Sequence, residues 1–252
     1  MRRSPNKLIV ALDVDNAKQA RHLFASLRDF VGMFKIGMQL FTAAGPPLLR
    51  EIIGAGGKVF LDLKYHDIPN TVAAAGVEAA RLGISIFNIH ATGGSEMMRR
   101  TADAVTAVSE KEGLSRPKVI AVTLLTSADE SVLQEIGVGR SPTQQVVSMA
   151  QLASHNGMDG VVASPLEVSA IRSAVPREDF LIVTPGVRPR GTATNDQRRI
   201  LTPSGAITAG SDYIVVGRPI IEAPDPTEAA REILREIDDT NITETTEPSL
   251  KK

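Results

Sequence analysis

Lys58-Val59-Phe60-Leu61-Asp62-Leu63-Lys64-Tyr65-His66-Asp67-Ile68-Pro69-Asn70-Thr71 runs from an apolar triplet into a cluster of charges and then into a proline. With Gly56-Gly57 before it, the triplet has the pattern of a buried strand beginning near Lys58. Side chains alternate along a strand, so Asp62 and Lys64 share one face while Leu61 and Leu63 take the other. Asp67 falls past the strand end, where the chain turns toward a helix after Pro69. Two carboxylates and an ammonium at the mouth of a buried strand are costly to desolvate unless they pair. That cluster by itself fits two readings: an ion pair closing a strand, or part of a functional site.

The same strand-then-helix unit recurs on both sides of this stretch. Apolar runs at 8–13, 33–37, 58–64, 84–90, 119–125, 160–164, 180–184 and 213–217 read as buried strands. After the first, Asp15 or Asn16 offers a helix cap, and Ala20, Leu23, Phe24, Leu27 and Val31 recur at helical spacing. Pro46-Pro47 opens the main part of the second helix and Gly54 ends it. Val72, Ala75, Ala79 and Leu82 line the third, and Gly93-Gly94-Ser95 leads into a fourth reaching about residue 112. A short extra helix is expected within 127–140, then a regular one from Ser141-Pro142 to about 155. A helix over 196–209 is broken or restarted at Pro203, and a last amphipathic helix covers 226–237. The Thr- and Glu-rich tail, 238–252, has little to bury and is expected to be disordered. Eight such units without a linker imply one (β/α)8 TIM barrel domain over residues 1–237. The competing doubly wound sheet lacks its G-x-G-x-x-G, since Asp13-Val14-Asp15-Asn16 follows the first strand.

Composition narrows the class of function. A chain of 252 residues, 42% hydrophobic, is long enough for one such barrel. A net charge of -1 argues against a nucleic-acid or anionic-membrane partner. Zero cysteines exclude a disulfide framework, a thiolate metal site and a cysteine nucleophile together. No apolar run approaches the ~18 residues of a membrane span, and the run at 8–12 after the basic N-terminus is too short for a signal-peptide core. The expectation is a soluble cytoplasmic protein.

Barrels carry their chemistry at the C-terminal ends of the strands. Asp13, Lys35, Asp62 with Lys64, His90 and Thr126 fall at or near the ends of strands one to five. Pro185-Gly186-Val187-Arg188 follows strand seven and Gly217-Arg218 follows strand eight, the two loops where barrels commonly bind phosphate. Arg188 and Arg218 offer bidentate donors for one phosphate. A Schiff-base lysine must be neutral, whereas the carboxylates on either side of Lys64 favour its ammonium. The same ammonium opposes Mg²⁺ between Asp62 and Asp67. The pattern describes a charge network aimed at a carbanion or anion beside a phosphate, and it calls for no cofactor. His90 is expected to be a hydrogen-bonded structural residue and Arg198-Arg199 a solvated helix face.

These residues resemble the orotidine 5'-phosphate decarboxylase family over nearly the whole chain from Leu8 to about residue 221. Asp62-Leu63-Lys64-Tyr65-His66-Asp67 matches the family's D-x-K-x-x-D signature, with its usual flank Ile68-Pro69-Asn70-Thr71. Ala11-Leu12-Asp13, Lys35-Ile36-Gly37, Leu125-Thr126-Ser127, Pro185-Gly186-Val187-Arg188, Asp196-Gln197-Arg198 and Val216-Gly217-Arg218 reinforce it in order. The resemblance implies cofactor-independent decarboxylation of orotidine 5'-monophosphate to UMP, the last step of pyrimidine nucleotide synthesis. It implies a homodimer with shared sites, Asp67 reaching into the partner's. On this chain it makes Lys64 the proton donor to C6 of the pyrimidine, with Asp62 and Asp67 holding and polarising it. Asp13 and Lys35 fall to the ribose side and Thr126 to the base. Ile68, Thr71 and Pro185 join the substrate-binding set, and Arg188, Gln197, Gly217 and Arg218 serve the phosphate, under a closing loop at 188–196. One rival is a Mg²⁺-dependent sugar-acid-phosphate decarboxylase of the same barrel group, which typically has an acidic residue where Lys35 stands. Another is a non-catalytic nucleotide-binding module, which would not need the Asp62, Lys64 and Asp67 set.

Overall fold

Eight parallel strands pair in chain order and close into a barrel: β1 (Leu8–Ala11), β2 (Met33–Gly37), β3 (Val59–Tyr65), β4 (Ile86–His90), β5 (Lys118–Val122), β6 (Gly160–Val162), β7 (Leu181–Thr184) and β8 (Tyr213–Val216). The computed structural model describes residues 7–189 and 201–244. Between and after the strands run α1 (Ala17–Leu27), α2 (Met38–Gly54), α3 (Pro69–Arg81), α4 (Gly94–Glu112), α5 (Glu130–Glu135), α6 (Pro142–His155), α7 (Val168–Ala174), α8 (Pro203–Thr208), α9 (Arg218–Ile221) and α10 (Pro226–Glu244). This is the (β/α)8 barrel expected from the alternation of apolar runs and helical patterns.

Local chemistry sets the helix ends. Asn16 caps α1, its side chain accepting from the Gln19 N–H, and Ser141 with Gln144 forms a capping box on α6. Inside α2, Gly45 at φ 61° breaks the helical path, and Pro46-Pro47 start the second segment. Apolar side chains then divide into two layers. Leu8, Val10, Phe34, Ile36, Leu61 and Phe87 pack outward against the helices, whereas Ile9, Met33, Phe60, Ile86 and Ile120 fill the barrel. The alternation of a strand carries this inner layer upward by two residues, from Ile9 to Ala11, Met33 to Lys35, Phe60 to Asp62 and Ile86 to Asn88. The bottom of the barrel is apolar and its top turns polar. That change of layer positions the site.

Several boundaries differ from the sequence reading. The first, fifth and sixth strands stop at Ala11, Val122 and Val162, two or three residues early, because the chain ends move into loops as they reach the top. Two short helices, α7 and α9, carry too few periodic positions to stand out in the sequence. Pro203 is the opening residue of α8, fitting its fixed φ to a first turn, and the expected helix start at Asp196 lies outside the described residues. The tail is corrected in part: disorder was expected from 238, yet α10 continues to Glu244. A helix already nucleated by the Asp225 cap at Thr227 and Glu228 gains one backbone bond per added residue and needs no burial for a further turn or two. Among the described residues no helix is long and apolar enough to cross a membrane.

Candidate active site

The top of β3 is irregular, and that irregularity makes the site. Leu61 pairs with Phe87 of β4 and Tyr65 pairs with Ile89, so Asp62, Leu63 and Lys64 stand opposite Asn88 alone. The chain absorbs the two extra residues in a bulge. Lys64 sits in it at φ 52°, the single non-glycine residue with positive φ among those described. A lysine in the left-handed region costs roughly 1–2 kcal/mol, so contacts around it must hold it there. Lys64 Nζ donates to Asp62 Oδ1 at 2.7 Å, and the Lys64 N–H donates to Asn88 Oδ1 at 2.8 Å. Asn88 Nδ2 donates to the same Asp62 oxygen at 2.7 Å.

Asp62 is the hub. Its other oxygen lies 3.5 Å from Lys35 Nζ, and Lys35 in turn donates to Asp13 Oδ1 at 2.8 Å. The result is an alternating row, Asp13–Lys35–Asp62–Lys64, from the end of β1 to the end of β3. A Cβ on Gly37 would stand 3.0 Å from Lys35 Nζ, so glycine there leaves room for the Lys35–Asp13 pair. Burial pushes the Asp62 carboxyl up, but Lys35, Lys64 and the hydrogen bonds from Lys64 and Asn88 outweigh it and hold the group below its usual range. An anion between two cations in a half-dry site is fixed in charge and direction before any ligand arrives.

Lys35, Asp62 and Lys64 form one wall of a cavity of about 220 Å³, whose lining also takes in Phe60, Thr126, Ser127, Pro185 and Val215. Of the expected residues, Lys35, Asp62, Lys64, Thr126 and Pro185 therefore meet in one space. Asp13 joins through Lys35, and Gly217 stands beside it, since a Cβ on Gly217 would lie 3.5 Å from Asp13 Oδ2. Arg188 is buried after β7, its N–H donating to Leu201 O at 3.0 Å and its Nη1 to Val187 O at 3.1 Å. Arg218 opens α9 after β8. Gln197 lies outside the described residues, as does the expected closing loop beyond Pro189.

Asp67, Ile68 and Thr71 stand apart from the cavity. Asp67 Oδ1 accepts from the Ile68 N–H at 2.6 Å, and among the described residues no ion pair joins it to Lys64. Ile68 is 67% exposed, and Thr71 lies in the first turn of α3. His90 stacks at 5.4 Å from His66, and burial first, then His66 and Lys64, lower its pKa against the pull of Asp62. Asn88 is the residue that the sequence reading passed over. Its signal was an amide in the run Ile86-Phe87-Asn88-Ile89, in phase with inward-facing Ile86, where an apolar residue would otherwise be expected.

Known proteins resemble this chain in sequence and in fold. The chain is 54% identical over 231 residues to the orotidine 5'-phosphate decarboxylases of Geotalea daltonii and Geobacter sulfurreducens, covering 92% of this chain and 95% of each relative. The crystal structure of the orotidine 5'-phosphate decarboxylase from Lactobacillus acidophilus superposes with a TM-score of 0.81 at 41% identity, over 92% of this chain and 99% of that one. The corresponding enzyme from Pyrococcus horikoshii gives 0.72 at 26% identity, over 92% and 99%. Residues 6–233 match the description Orotidine 5'-phosphate decarboxylase / HUMPS family. With its barrel, its signature and relatives that it matches from end to end, the chain belongs to that family.

Proposed function

We propose that this chain decarboxylates orotidine 5'-monophosphate to UMP and CO₂ in pyrimidine nucleotide synthesis, and that Lys64, aimed by Asp62, does the chemistry. The observation that carries this reading is the cation at Lys35. Its ammonium lies 3.5 Å from Asp62, in the place where the metal-dependent rival has an acid. A divalent ion beside Asp62 would meet two ammonium groups.

Loss of CO₂ from C6 leaves a carbanion whose lone pair lies in the ring plane, where the π system cannot spread it. Lys64, a cation at the cavity wall, stabilises that charge as it forms and then delivers the proton. Asp62 keeps Lys64 aimed, and Thr126 and Pro185 border the space for the base. Asp13 and Lys35 take the ribose side. Arg188, Gln197, Gly217 and Arg218 take the phosphate, whose binding energy is remote from the reacting carbon and available for positioning. The test is turnover by purified protein in excess EDTA. Conversion of orotidine 5'-monophosphate should proceed undiminished, and conversion of a sugar-acid phosphate should stay absent with Mg²⁺ present. Abolition by chelation would favour the rival.

The working unit in this reading is a homodimer. Asp67 makes its contacts away from its own Lys64, and Ile68 beside it offers apolar surface. Asp67, with Ile68 and Thr71, then completes the site of the second copy. Mixing inactive Asp67→Ala with inactive Lys64→Ala should restore turnover, because a mixed dimer has one site with both native residues. Verified mixed dimers without activity would count against sharing.

A further inference from the structure

Asn88 is wholly buried in the middle of β4, and both halves of its amide are in use. The bulge in β3 takes the Lys64 N–H out of the regular ladder, and Asn88 Oδ1 accepts it in place of a backbone carbonyl. The amide's orientation follows from its partners: a backbone N–H can only donate, and the Asp62 carboxylate can only accept. One side chain therefore ties the backbone of Lys64 to the carboxylate that aims the Lys64 ammonium.

We propose that Asn88 is a positioning residue of the decarboxylation site, holding the left-handed turn at Lys64 and the Asp62 carboxylate in a single geometry. The inference rests on the reading of function given above. Few side chains can do this. Leucine fills the space but leaves a buried N–H and one carboxylate contact unmet. Serine reaches one partner at most. Aspartate has the right shape, and when protonated its O–H donates to Asp62 as Nδ2 does. When ionised it sets a like charge against Asp62. The other charged or titrating groups around it are Lys64 on β3, Lys35 on β2, His90 on β4 and His66 stacked on His90.

The experiment compares wild type, Asn88→Ala and Asn88→Asp for kcat, KM, UMP affinity and hydrogen exchange at the Lys64 amide. Asn88→Ala should lose about 10²-fold in kcat, the usual effect of a misplaced catalytic group, while UMP affinity holds within about threefold. Its Lys64 amide should lose protection. For Asn88→Asp, the ratio of wild-type to variant kcat should widen as pH rises from about 6 to about 8, because the added carboxyl substitutes for the amide only when protonated. A kcat for Asn88→Ala near wild type overturns the inference. So does a ratio for Asn88→Asp that does not change with pH, or an equal loss of kcat and UMP affinity. If Asn88→Ala does not fold, Asn88→Asp decides. Absence of turnover in wild type would sink the functional reading instead. Persistent protection of the Lys64 amide in a folded Asn88 variant would still overturn the positioning role.

Discussion

Lys64→Ala should lose about 10⁵-fold or more in kcat, the product of a general acid worth roughly 10²–10⁴ and a preorganised charge worth roughly 10²–10³. In the proposed chemistry two functions leave with the one ammonium: the field that stabilises the C6 carbanion and the proton that quenches it. No neighbour can replace it. Lys35 is engaged with Asp13 at 2.8 Å and reaches Asp62 from the other side. Binding should suffer little, because UMP has no carboxylate to meet Lys64 and the phosphate contacts are remote. UMP affinity within about threefold of wild type, measured by calorimetry on a folded variant, separates lost chemistry from lost structure. A variant that turns over at a rate close to wild type would remove Lys64 from its role.

Asp62→Ala should be the second most damaging change, by at least about 10³-fold in kcat, the upper range for losing one preorganised electrostatic partner. Both Lys35 and Lys64 lose their shared counter-ion, while Asn88 Nδ2 loses its acceptor. Two cations, with side chains 11% and 25% exposed, then face each other without a counter-ion between them, and Lys64 is no longer aimed. Stability should fall too, by about 3 kcal/mol, the cost of leaving a buried pair half-made. The pH dependence has a definite sign. The folded-state pKa of Asp62 is depressed, so its contribution is full above the ordinary value of 3.8 and is lost as pH falls through the lower folded value. Urea midpoints of wild type and Asp62→Ala should therefore converge in strong acid. A constant gap between them at every pH would place the stabilisation elsewhere.

The barrel was legible in the sequence because each strand is buried on both faces and reads as a continuous apolar run. Strand periodicity puts Asp62 and Lys64 on one face, and the D-x-K-x-x-D spacing singles out Lys64. The bulge was not legible. Nothing between Leu61 and Tyr65 is a glycine, so no residue announces the left-handed turn at Lys64. The turn depends on Asn88, which lies in a different strand. His90, whose chemistry is more conspicuous, lies two residues past this amide. Asp67 is close to Asp62 in sequence, but its side chain accepts from the Ile68 N–H and stands apart from the cavity. The short helices α7 and α9 escaped for lack of length, and α10 outran its expected end because polar helix turns leave no apolar periodicity to read.

In the chemistry proposed for this site, an ammonium at the end of β3 exchanges a proton with C6 of the pyrimidine. Microscopic reversibility makes the claim testable without any CO₂: a site that protonates the C6 carbanion must also remove the C6 proton of bound UMP. The measurement is proton NMR of UMP incubated with the protein in D₂O. Wild type should replace the C6 hydrogen with deuterium faster than buffer alone, and Lys64→Ala should not. Decarboxylation of orotidine 5'-monophosphate by a protein that leaves C6 of UMP no more exchangeable than in free solution would contradict it.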